Sequence, residues 1–261
     1  MQELITIARE LHERADQLLA LAGAAEGDAA PPSSPPSEDV PEETADFFDD
    51  YGAVFDFLRT NKMLGPTIND GEFEGCDRII GAFAAGGAPV SYCAYALATA
   101  YLETAHTMQP VKEIGGAAYY TRMYDIRGSR PAKARELGNL TPGDGAKYCG
   151  RGYVQLTGKT NYVKATSKLQ GLGYDADLVR DPDRAMEAEI AAVIMFYGMT
   201  EGWFTSRKLA DDLPADGPAR IAQFVASRDI INGRDKQDEI AVYANDFQTA
   251  LQHGGYRQYR R

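Results

Sequence analysis

Residues 94–113, AYALATAYLETAHTMQPVKE, form an apolar run that carries one carboxylate, Glu103, with a second, Glu113, just beyond Pro110. Between Pro89 and Val111 the chain has no lysine, no arginine and no other acid. Alanine, leucine and tyrosine at this density predict a buried helix that starts near Pro89, with Ser91 as its N-cap, and stops at Pro110. Burial disfavours the charged form of a carboxyl group, so an acid among Tyr95, Ala98, Leu102 and Ala105 is set to keep its proton and donate it. Glu113 follows Lys112 and precedes glycines, a setting in which it stays ionised. Two carboxyls in unlike surroundings are the minimal equipment for hydrolysing a glycosidic bond. A glutamate in such a helix also has bland uses: it can snorkel to the surface or pair with an arginine from elsewhere in the chain.

Around this run the pattern is mostly helical. FFDDYGAVFDFLRTNKML (47–64) has helical spacing in its aromatic and aliphatic residues, and CDRIIGAFAAGG (76–87) reads as a short helix closed by glycines. Helices are expected again around 185–199, 218–231 and 236–252. Residues 114–149, rich in Gly, Tyr and Arg, read as loops with a short hairpin, and YVQLTG (153–158) alternates like a strand. The fold class expected is mainly α (α+β), with a small β element in the middle.

Upstream lie two segments of different character. Residues 1–24 place Leu4, Ala8, Leu11, Ala15, Leu18 and Ala22 on one heptad seam. That makes an amphipathic helix, either docked on the rest of the chain or self-associating through residues 3–23. Residues 25–45, with five prolines among serines, alanines and acids, form a flexible linker. The globular domain then runs over 46–261. The formal charge of −11 belongs mainly to residues 26–58, which hold ten acids and no Lys or Arg. Residues 59–261 are near neutral, with 24 acids against 25 Lys and Arg, so no basic surface for nucleic acid is present.

The N-terminus lacks the basic start and apolar core of a signal peptide, and no run is long and apolar enough to insert in a membrane. Cys76, Cys93 and Cys149 are widely spaced and odd in number, which predicts reduced thiols. His12, His106 and His253 are too scattered for a zinc site, and no metal or cofactor is expected.

A second motif follows the two glutamates: GDGAKYCGRGYVQLTGKTNY, residues 143–162. Its glycines match neither a dinucleotide fingerprint nor a phosphate loop. They relieve the backbone ahead of Gln155, Thr157 and Asn161, neutral groups that suit sugar hydroxyls, amides and a positioned water. Tyr119, Tyr120, Tyr124 and Tyr153 are candidates for stacking on sugar faces, and equally for packing.

Together, YALATAYLETAHTMQPVKE and YCGRGYVQLTGKTNY resemble glycoside hydrolase family 19, the chitinase-like enzymes that include many bacteriophage endolysins. The segments GGAAYYTRMYDIRGSRPAKARELGN and IINGRDKQDEIAVYANDF resemble the phage and bacterial branch, and the likeness covers roughly residues 46–252. The resemblance implies a lysozyme-like, two-lobed domain with a small β element and a central cleft. It also implies an inverting single displacement on β-1,4-linked, N-acetylated polysaccharide. By position, Glu103 matches the general acid and Glu113 the general base. Thr157 matches the residue that holds the attacking water, Gln155 and Asn161 match substrate contacts, and Asn232 matches a further cleft asparagine.

Three departures stand out. Leu102 replaces a frequent histidine before the acid. Only Glu113 suits the variable spacing to the base. Glu239 aligns with an arginine found near the base in plant-type members, which leaves Arg122, Arg151 or Arg234 to support the base instead. His106 is read as structural. The expected substrate is peptidoglycan, with chitin as the alternative, and an inactive saccharide-binding or assembly protein as the alternative of another class. The same resemblance implies action on the cell wall after holin-type or other release from the cytoplasm.

Overall fold

The computed structural model describes residues 47–65, 67–231 and 235–258. The expected N-terminal helix, its self-association, the linker, Asn232 and Arg234 therefore lie outside the described residues.

Helix α1 (Tyr51–Thr60) starts where the Asp50 carboxylate accepts from the Ala53 amide, a side-chain cap for an otherwise orphaned donor. It buries Tyr51, Val54, Phe55 and Leu58, and each such side chain contributes about 1.5–3 kcal/mol of hydrophobic free energy. Helix α2 (Asp70–Ala85) begins six residues before the short helix predicted, because Asn69 and Glu72 form a reciprocal capping box.

Helix α3 (Val90–Glu103) is buried from Val90 through Tyr101. Its cap is Pro89 rather than Ser91, which lies inside the first turn and is fully buried. It also ends seven residues before Pro110. The Thr104 hydroxyl donates back to the Ala100 carbonyl at 2.8 Å and accepts from the Met108 amide at 3.0 Å. Ala105, His106 and Met108 then take left-handed backbone conformations. A side-chain bond that competes with the helical ladder stops this helix, not the proline. Glu103 is consequently the last helical residue.

Strand β1 (Val111–Lys112) pairs antiparallel with β2 (Arg151–Gly152), Val111 opposite Gly152. This is the small β element, and it differs from the strand expected over 153–158. Residues 153–155 are a turn with Gln155 left-handed, after which Leu156 bridges back to Arg151. The expected hairpin over 114–149 is replaced by short helices α4 (Ala117–Tyr124), α5 (Pro131–Glu136) and α6 (Asp144–Lys147).

Helix α7 (Lys159–Gly171) was not predicted. Helices α8 (Ala188–Glu201), α9 (Ile221–Ala226) and α10 (Gln237–His253) occupy the predicted regions. A 3-10 turn, Ser227–Ile230, continues α9.

Two apolar cores result. The larger joins α1, α2, α3, α9 and α10. The smaller gathers Tyr148, Leu156, Tyr162, Leu169 and Trp203 around α7. Helix α8 serves both: Met195 and Met199 face the first core, and Ile190 and Ile194 face the second. An apolar surface on all sides suits a helix placed between two cores. The fold is thus mainly α, two-lobed, with one minimal sheet, as expected. All three cysteines are free thiols and fully buried. Among the described residues no helix is long and apolar enough to cross a membrane.

Candidate active site

Where the lobes meet, Glu103, Glu113, Gln155, Thr157 and Asn161 line one open cavity of about 360 Å³. The two motifs, 30 positions apart in sequence, thus converge on shared space. Tyr124, Lys133, Phe204 and Ile231 also contribute to its wall.

The surroundings of Glu103 are not purely apolar. Arg228, on the 3-10 turn after α9, donates from Nη1 to Glu103 Oε1 at 3.0 Å. The arginine side chain is only 3% exposed, whereas that of Glu103 is 23% exposed. The apolar-pocket expectation is corrected accordingly: the greasy helix delivers the carboxyl, but a buried guanidinium receives it. The alternative reading of Glu103, pairing with an arginine from elsewhere in the chain, is thus the one observed; which arginine was not legible, because the two residues are 125 positions apart and no spacing rule links them.

Glu113 is held by different means. Its Oε1 accepts from the Tyr124 hydroxyl at 2.7 Å and its Oε2 from the Gly150 amide at 3.1 Å. Its own amide donates to the Gly150 carbonyl, which extends the β1–β2 ladder by one residue, and its carbonyl accepts from the Tyr120 hydroxyl. Burial, then the hydrogen bond to Glu113 and its charge, push the Tyr124 phenol upward, so it remains a donor.

Neither Arg122 nor Arg151 bonds the Glu113 carboxylate, and Arg234, the third arginine considered, lies outside the described residues. Arg151 is instead a buried hub: it bonds Asp183, the carbonyls of Lys147 and Cys149, and the Tyr162 hydroxyl. Arg122 lies over the Tyr119 ring.

The remaining wall offers acceptors. Both amide hydrogens of Gln155 are spent on the Val111 and Gly152 carbonyls, which fixes its orientation and leaves Oε1 to accept. Asn161 Nδ2 donates to the Thr157 carbonyl, and the Thr157 hydroxyl donates to the Gln155 carbonyl at 2.7 Å. With its proton committed, the Thr157 oxygen is an acceptor suited to a water or a sugar hydroxyl.

Tyr153 departs from its expected role. It is fully buried in the larger core, its hydroxyl has no partner among the described residues, and its ring cannot meet a sugar. The turn at 153–155 points it inward while Gln155 reaches the cavity. Tyr120 and Tyr124 position Glu113 instead of forming a stacking platform. His106 stacks on Tyr101 at 4.2 Å, which agrees with a structural part.

Comparison with family models gave no match. Comparison with curated protein sequences likewise gave none. Among solved structures, chitinase C from Streptomyces griseus HUT6037 is similar, with 18% identity, a TM-score of 0.42, and 89% of this chain aligned to 83% of that one. A mutant of chitinase C is similar at 17% identity and a TM-score of 0.47, with 88% and 86% covered.

Proposed function

We propose that this chain is an endo-acting, inverting glycoside hydrolase that cleaves β-1,4 bonds of N-acetylated polysaccharide, with peptidoglycan as its substrate. The single observation that carries this reading is the pair of carboxyls on one cavity, each with its own support. Glu103 ends a buried helix against a guanidinium, and Glu113 rests on a phenol and a backbone amide. In the proposed reaction Glu103 gives its proton to the glycosidic oxygen. Glu113 takes a proton from a water that the Thr157 oxygen orients, and that water attacks the anomeric carbon from the opposite face. Gln155 and Asn161 supply acceptors for substrate N–H and O–H groups. The preference for peptidoglycan rests on the likeness of residues 115–139 and 230–247 to phage-type members of glycoside hydrolase family 19.

The test is to incubate the protein with purified sacculi and with chitin oligomers and to identify the released ends. New reducing N-acetylmuramic acid supports peptidoglycan, and N-acetylglucosamine ends from chitin alone move the substrate to chitin. Glu103→Gln keeps an oxygen acceptor for the buried Arg228 but has no proton to give. It should lose about 10²–10⁴-fold in rate, and a loss of only a few-fold would sink the assignment of Glu103 as the acid; absence of any released ends from the wild-type protein would favour a saccharide-binding protein over an enzyme. Glu113→Gln assayed with azide checks inversion: renewed turnover with a changed anomer would identify Glu113 as a nucleophile.

A further inference from the structure

We propose that Arg228 is the positioning residue for Glu103: its guanidinium holds one carboxyl oxygen so that the other addresses the cavity. This rests on the hydrolase reading above and adds a residue that the sequence motifs did not contain.

Arg228 is itself firmly held. Tyr95, two turns before Glu103 on α3, stacks on Phe224 of α9 with the rings 8° from parallel and 6.3 Å apart. That contact sets α9 against α3. The Thr205 hydroxyl sits against the carbonyls of Asp229 and Ile230, at 2.7 and 3.0 Å, and ties down the 3-10 turn. Within it, Arg228 Nε donates to the Asp235 carbonyl at 2.8 Å while Nη1 donates to Glu103 Oε1. A planar guanidinium with two of its donors committed in fixed directions has little freedom left to swing.

The exposures point the same way. Arg228 is buried behind the carboxyl and is absent from the cavity wall, whereas Glu103 is part of that wall. The guanidinium therefore acts through Glu103 and not on substrate. Among the described residues Glu103 Oε2 carries no protein hydrogen bond, which leaves it for the leaving-group oxygen. A lysine at 228 keeps the charge but, as a single flexible point donor, cannot span Asp235 and Glu103 in the same geometry. A proton donor displaced by about 1 Å loses on the order of 10²-fold in rate.

The experiment compares Arg228→Lys, Glu103→Gln and the double variant on purified sacculi, with thermal melting as a control for folding. Arg228→Lys is expected to lower kcat by about 10- to 100-fold with KM changed less than about threefold. The double variant should be no slower than Glu103→Gln alone, because Arg228 has nothing left to position. Arg228→Lys at wild-type kcat, or a double variant slower by the same factor seen in the wild-type background, overturns the proposal. If Arg228→Lys does not fold, Arg228→Gln, which leaves no buried cation, takes its place; failure of both to fold overturns a positioning role in favour of a purely structural one. A wild-type protein that releases no ends from sacculi or chitin would instead remove the hydrolase reading itself, and a fully active Glu103→Gln would remove the acid role of Glu103, results distinct from any loss confined to Arg228.

Discussion

Glu113 and Gly150 hold each other twice: the Glu113 amide donates to the Gly150 carbonyl at 2.9 Å, and the Gly150 amide donates to Glu113 Oε2 at 3.1 Å. Backbone and carboxylate are thereby locked to one partner. A Cβ at position 150 would lie 2.7 Å from Gln155 Oε1 and 3.2 Å from Glu113 Oε2. Gln155 is pinned by its own two bonds and cannot yield freely. Gly150→Ala should therefore push the base, lowering kcat by about 10- to 100-fold while the melting temperature changes little. Steady-state kinetics beside a melting curve checks this, and an unaltered kcat would mean that the base does not need that grip.

Tyr124 makes the other grip on Glu113, and removing it isolates one hydrogen bond. Tyr124→Phe keeps the ring and loses the donor. A hydrogen bond to a charged group is worth about 1.5–3 kcal/mol. If most of that holds the base in its working direction, kcat falls about 10-fold or more with substrate affinity intact. Equal activity for the phenylalanine variant would assign the hold on Glu113 to Gly150 alone.

Next in the chain, Asp125 ties the end of α4 to the start of α6, and so supports Tyr124. It is almost fully buried. Burial alone would raise its pKa, but the amides of Arg127, Gly143 and Gly145 donate to it and hold the carboxyl below its ordinary value of 3.8. A carboxyl depressed in the folded state stabilises the fold above the unfolded-chain value and loses that contribution as pH falls through the folded one. Asp125→Asn should thus cost about 1–3 kcal/mol at neutral pH, or about 2–4 °C in melting temperature per kcal/mol. The gap to wild type should narrow below pH 3.8. A gap that stays constant into acid would show that the charge is not what the three amides recognise.

Much of this was legible from local patterns. The apolar run predicted a buried helix, and its isolated glutamate did reach the cavity with Thr157, Gln155 and Asn161. What local patterns could not show were pairings across the chain. Arg228 meets Glu103 through the packing of Tyr95 on Phe224, which neither residue's own neighbours announce. Tyr153 misled because a turn with a left-handed Gln155 looks, by alternation alone, like a strand that presents its tyrosine outward. The end of α3 was misplaced for a similar reason: Thr104 bonds its own helix and stops it early, whereas the proline is the louder signal.

The segment between the acids depends on a glycine far from either. A Cβ at Gly75 of α2 would lie 1.8 Å from the Met108 carbonyl oxygen and 2.9 Å from Met108 Cβ. Both belong to residue 108, in the turn that connects Glu103 to Glu113. Gln109 reinforces the contact by donating to the Gly71 carbonyl at 2.5 Å. The backbone cannot approach α2 so closely past any side chain, so Gly75→Ala must displace residues 105–109. Overpacking of this kind costs about 1–3 kcal/mol, and here the displaced segment sets the relation between the two carboxyls. The variant should lose several degrees in melting temperature and, at temperatures where it remains folded, about 10-fold or more in kcat. Kinetics well below its melting transition separates the two effects. A variant that melts early yet turns over at the wild-type rate would show that the turn tolerates movement without disturbing the acids.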